Sequence, residues 1–103
     1  MKHIVVDLEM NSISNKYKDF DCTMETIEVG AIMLDENYQE ISSFRTYVRP
    51  EYNNRIRPLI SRLTGITYDM VINAPKFGEA MKMFSNWCLG VNDDIKIYAW
   101  SEN

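Results

Sequence analysis

The chain has 103 residues, with 11 basic side chains against 15 acidic ones and a net charge of −4 when its one histidine is neutral. That length suits one domain and leaves no room for a second, and 46% hydrophobic with 25% charged residues excludes whole-chain disorder, collagen and coiled coil. No apolar run nears the ~18 residues of a membrane span, the amino end lacks a signal-peptide pattern, and Cys22 and Cys88 have neither Cys-x-x-Cys spacing nor companion histidines, so the expected setting is the cytoplasm, without membrane contact, disulfide or zinc site.

His3 to Met10 predicts a strand with Ile4, Val6 and Leu8 on one side of the pleat and Val5, Asp7 and Glu9 on the other. Two carboxylates thus share a face where a core strand would carry aliphatics, and such a broken local rule marks a candidate site. Asn11 to Asp21 is polar and reads as a loop. Thr26 to Asp35 is nearly continuous apolar residues, the pattern of a central strand buried on both faces. A turn over Glu36 to Gln39 leads to an antiparallel partner at Ile41 to Val48, which Pro50 ends.

Pro58 suits the first turn of a short helix running to Leu63, with Gly65 as its stop, and Thr67 caps a further short turn. After Pro75, the spacing of Phe77, Ala80, Met81, Phe84, Trp87 and Cys88 predicts an amphipathic helix whose stripe packs on a sheet, ended near Gly90. Ile95 to Trp100 reads as a returning strand. Three strands, helices and a fourth strand give an α/β fold with a mixed sheet and a helical crossover.

Charge is partitioned along this order. Residues 1–44 carry −6, residues 45–62 carry +4 and the remainder −2. All five arginines, Arg45, Arg49, Arg55, Arg57 and Arg62, fall in the middle segment, where guanidinium forks suit phosphate oxygens. A solvated loop beside a strand would carry the same composition. The acidic amino end suits a bound cation, which reverses the local potential.

Carboxylates two apart on a strand point the same way and hold a divalent cation between them. Hard oxygen donors without cysteine or histidine favour Mg or Mn over Zn, and phosphate chemistry is the natural use of such ions. Asp7-x-Glu9 has this form.

The pair stands in context: Ile4-Val5-Val6-Asp7-Leu8-Glu9, Thr26-Ile27-Glu28-Val29-Gly30-Ala31, Tyr47-Val48-Arg49-Pro50, Leu63-Thr64-Gly65-Ile66-Thr67, and Asn73-Ala74-Pro75 with Phe77. Taken in that order, over nearly all of the chain, these pieces resemble the DEDD superfamily of 3′-5′ exonucleases, the DnaQ-like and RNase T-like branch, which includes proofreading subunits, RNA-trimming enzymes and bacterial sporulation-inhibitor-type exonucleases. The resemblance implies a ribonuclease-H-like fold and a sheet whose acids hold two Mg or Mn ions that hydrolyse nucleotides from the 3′ end of RNA or single-stranded DNA. Asp7 and Glu9 match the first motif as metal-ligating and catalytic residues, Asp7 as the bridge and Glu9 also near the terminal 3′-hydroxyl. Met10, Asn11, Leu63 and Thr64 match substrate contacts.

The departures matter equally. The family's third acid follows the fourth strand, where Tyr98 to Asn103 leads up to it, and the later histidine and aspartate have no counterpart; His3 matches neither, and Glu102 is the one nearby carboxylate. Residues 1–103 are therefore expected to be one exonuclease-like domain cut before its second acidic motif, lacking the carboxy-terminal helices and last strand, with little or no activity of its own. A homodimer covering the bared sheet face is the expected relief. The alternative is a non-catalytic nucleic-acid-binding or regulatory module of the same fold.

Overall fold

The computed structural model describes residues 1–12 and 24–100, the Trp100 side chain excepted. In chain order the elements are β1 (Lys2–Ser12), β2 (Met24–Leu34), β3 (Glu40–Tyr47), α1 (Pro58–Thr64), α2 (Tyr68–Val71), α3 (Phe77–Leu89) and β4 (Ile95–Trp100). The sheet order is β3-β2-β1-β4. β2 runs antiparallel to both β1 and β3, while β4 returns parallel to β1 after the three helices, with Val5 opposite Tyr98. This is the mixed sheet with a helical crossover that the element order predicts.

The β2–β3 turn has a local cause. Asp35 Oδ1 accepts from the amides of Asn37 (2.8 Å) and Gln39 (3.0 Å), and Tyr38 takes a positive φ of 62° between them. An aspartate that caps its own downstream amides folds the chain back without a glycine. α1 begins with Pro58, which needs no amide partner there, and ends at Gly65, whose φ of 78° is the left-handed cap that costs glycine least.

One face of the sheet carries the main core. Ile4, Val6, Val29, Ala31 and Met33 pack with Val48 and with Ala80, Phe84 and Cys88 of α3. Phe44 stacks on Phe84 at 5.7 Å between centroids, and Trp87 Nε1 donates to Ser42 Oγ at 2.9 Å, so α3 is fixed to β3 by rings and one polar tie. A second cluster, Ile27, Ile56, Ile66 and Val71, seals the loop and short helices against the far end of the sheet.

Three expectations need correction. β2 is paired on both edges but buried on one face only: Ile32, 38% exposed, looks out from the side opposite α3. Phe77 is exposed, because it opens α3 one turn before the first buried residue, Ala80. β1 continues through Asn11 and Ser12, polar residues that read as loop but keep pairing with Glu25 and Met24. The rest of the expected loop, with Cys22, and residues 101–103, with Glu102, lie outside the described residues.

Candidate active site

Asp7 and Glu9 lie on β1, an inner strand held on both edges as far as Asp7. Their spacing along a strand is about 7 Å between Cα atoms, and alternation turns both to the face away from α3. Asp7 is exposed and Glu9 half-buried. Opposite Asp7 on β2 stands Gly30, and opposite Glu9 stands Glu28. A Cβ built on Gly30 would make ordinary contact, 3.7 Å, with the Asp7 carbonyl, so the glycine mainly keeps the floor beside Asp7 low. That floor belongs to an open hollow of about 430 Å³ lined by Val5, Asp7, Glu28, Gly30, Ile32 and Arg45, among others.

The third acid of this face is already engaged. Glu28 Oε2 accepts from Arg45 Nε at 2.6 Å, and Arg45 also donates to the Tyr47 hydroxyl at 3.0 Å. The Glu28 carboxylate, by this hydrogen bond and its charge, holds the Arg45 guanidinium above its ordinary pKa. Sequence reasoning missed this pair; the signal was Glu28, a lone charge within an apolar strand.

Just beyond Glu9 the pairing slips. Glu9 faces Glu28, but Met10 faces Thr26, leaving Ile27 as a bulge residue with no partner on β1. Thr26 Oγ1 then donates to Met10 Sδ at 3.3 Å. Asn11 is wholly buried: its Nδ2 donates to the Arg55 carbonyl (3.2 Å) and its Oδ1 accepts from the Arg57 amide (3.1 Å). Its side chain therefore clips the 55–57 loop to the end of β1, a job that sequence spacing did not reveal. α1 lies against β1. It brings Leu63, 74% exposed, and Thr64, whose hydroxyl donates to the Ile60 carbonyl (2.8 Å) and accepts from the Ile66 amide (3.1 Å). Met10 and Asn11 thus continue β1 directly after the acids, while Leu63 and Thr64 sit at the end of a neighbouring helix. His3 is at the other end of β1, sharing a hydrogen bond with the Tyr98 hydroxyl (3.0 Å) and stacked on Tyr38.

As a cation site the donors fit in kind, two hard carboxylates on one accessible face. They do not fit in number, since among the described residues no group of three or more histidine, cysteine, aspartate or glutamate side chains is placed to hold a metal.

A mixed sheet in the order β3-β2-β1-β4 with a helical crossover is a ribonuclease-H-like fold. The sequence matches the RNase T exonuclease family over residues 4–96, and the chain belongs to that family. Human 3′-5′ exoribonuclease 1 is 32% identical over 84 residues, which is 81% of this chain and 24% of that protein. A Staphylococcus aureus PolC-type DNA polymerase III is 31% identical over 85 residues, 82% of this chain and 5% of the polymerase. The crystal structure of the nuclease domain of 3′hExo, a DEDDh family member bound to rAMP, shares the fold at a TM-score of 0.80 and 24% identity, covering 95% of this chain and 50% of that one. The chain therefore spans about a quarter of the human relative's length and half of the solved nuclease domain. Family membership implies dependence on divalent metal ions.

Proposed function

We propose that this chain carries the leading half of a 3′-5′ exonuclease site acting on the 3′ end of RNA or single-stranded DNA. The observation behind this reading is the pair Asp7 and Glu9 on the open face of an inner strand, in a chain of exonuclease family. Two Mg or Mn ions in the complete site would stabilise the attacking and leaving oxygens of phosphodiester hydrolysis. Asp7 and Glu9 would hold them, with Glu9 also near the terminal 3′-hydroxyl. Met10, Leu63 and Thr64 would meet the terminal nucleotide. Asn11, its side chain spent on the loop, supports that contact from beneath. Asp7 and Glu9 are two donors, with no third placed beside them to hold a metal among the described residues, so the 103 residues alone are expected to trim little or nothing. A cytoplasmic setting, argued from composition, is part of the same reading. So is self-association over the open sheet face, where Val5, Ile32 and Tyr98 leave apolar surface uncovered among the described residues.

The test is a labelled single-stranded oligonucleotide with Mn and the protein expressed with any coding sequence that follows Asn103. Metal-dependent shortening from the 3′ end is expected, reduced at least about 10² to 10³-fold by Asp7→Asn. No shortening, or shortening indifferent to Asp7, overturns the reading. Trimming by the 103-residue chain that Asp7→Ala abolishes would overturn only its inactivity.

The absence of a three-donor cluster among the described residues favours one other reading, a non-catalytic binding or regulatory module that keeps the fold. Indifference to Asp7 together with retained oligonucleotide binding would decide for it.

A further inference from the structure

We propose that the exposed strap from Arg49 to Arg62 is a phosphate-binding track for the backbone of single-stranded nucleic acid, leading the strand toward Asp7 and Glu9. Its destination rests on the nuclease reading, but the binding does not.

The charge is concentrated and unspent. Residues 45–62 hold every arginine and one acid, Glu51, in a chain of net charge −4. Arg45 is neutralised by Glu28, whereas Arg49, Arg55, Arg57 and Arg62 are exposed and form no ion pair with another described residue. Exposed ion pairs contribute little to stability, so leaving these four guanidinium groups without a described partner costs the fold little and keeps them available to a ligand.

The strap is also held in place. Ile56 is buried in the second core cluster, so Arg55 and Arg57 on either side are turned outward. Asn11 fixes the backbone of both, and Asn53 Nδ2 donates to the Ser12 carbonyl at 2.8 Å. Upstream, Glu25 Oε2 accepts from the amides of Glu51 (2.9 Å) and Tyr52 (3.3 Å). Arg55 and Arg57 are therefore presented beside the end of β1, two residues past Glu9, by contacts that do not use their side chains. Arg62 follows in the last turn of α1, beside the exposed Leu63. Planar forks of this kind take phosphate oxygens two at a time and read no sequence, which suits a strand that must pass every nucleotide through one site.

The experiment measures binding of a fluorescent twelve-nucleotide oligo-dT to the 103-residue chain by anisotropy, in EDTA, across a salt series. Low-salt binding is expected, and Arg55→Gln, Arg57→Gln and Arg62→Gln combined should weaken it at least tenfold. The slope of log affinity against log salt should fall by about 2, on the order of 0.7 per lost phosphate contact. Lys76→Gln, Lys82→Gln and Lys96→Gln combined remove equal charge elsewhere and should leave the slope intact. Circular dichroism of both triple variants matching the parent excludes unfolding as the cause. No binding by the parent at low salt, or equal loss in the two triples, overturns the track. Because EDTA removes catalysis, a track that binds while Asp7→Asn leaves trimming untouched would sink the nuclease reading and spare this one.

Discussion

Asn11 shows how a single residue's role is set by what it can satisfy rather than by its polarity. A buried amide is tolerable only when its donors and acceptor are used, and here it bonds both the Arg55 carbonyl and the Arg57 amide. Asn11→Ala would strand both backbone groups, and a loss of about 2 kcal/mol in urea unfolding is expected, with the strap rather than the sheet becoming protease-sensitive. Nothing in the sequence distinguishes this asparagine from the polar residues after it, because its partners lie more than forty positions away. Asp7 and Glu9 were legible for the opposite reason: a carboxylate on an aliphatic strand contradicts its neighbours. At the other end of β1, Lys2 Nζ donates to Glu36 at 2.8 Å, and this hydrogen bond, with the positive charge, lowers the Glu36 pKa to about 2. A depressed carboxyl pKa adds stability above its ordinary value of about 4.3, lost as pH falls through the folded value. Glu36 is an exposed side chain, so the effect on unfolding is small. Its titration by carboxyl-carbon NMR should still fall near pH 2 and rise toward the ordinary range in Lys2→Met.

At the scale of elements, α3 was the most legible because its whole stripe follows one period. Ala80, Phe84 and Cys88 are buried and Met81 and Trp87 partly so, while the stripe's first member, Phe77, overshoots the sheet. Phe84 carries the contact, lying against Phe44 at 5.7 Å and Trp87 at 5.9 Å. Phe84→Ala should cost about 3 to 4 kcal/mol by chemical denaturation, the range for an aromatic removed from a core that cannot collapse. β2 misled because an apolar run does not say which of its faces is covered; Ile32 and Met33 look alike in sequence, yet one is exposed and the other is not. The extension of β1 through Ser12 was hidden because Asn11 and Ser12 are polar, while their pairing with Glu25 and Met24 leaves no pattern in the sequence.

For the whole molecule, the described residues form a sheet with a helical layer on one side and an open side bearing the acids, bordered by an arginine-rich strap. Tyr98, opposite Val5 on the open face, is 37% exposed on β4, a strand at the edge of the sheet among the described residues. Uncovered apolar surface and a free edge together favour pairing with a second copy. Sedimentation at micromolar concentration is expected to give a dimer; a stable monomer would remove that part of the proposal. The slip between Glu9 and Met10 has a broader consequence. The extra residue is Ile27 on β2, wholly buried in the second core cluster, so the slip sets which β2 residues meet the tail of β1 and puts Thr26 beside Met10. Deleting Ile27 would remove a core side chain and turn the β2 residues before it to the opposite face of the sheet, a heavier loss than a conservative exchange such as Ile27→Val.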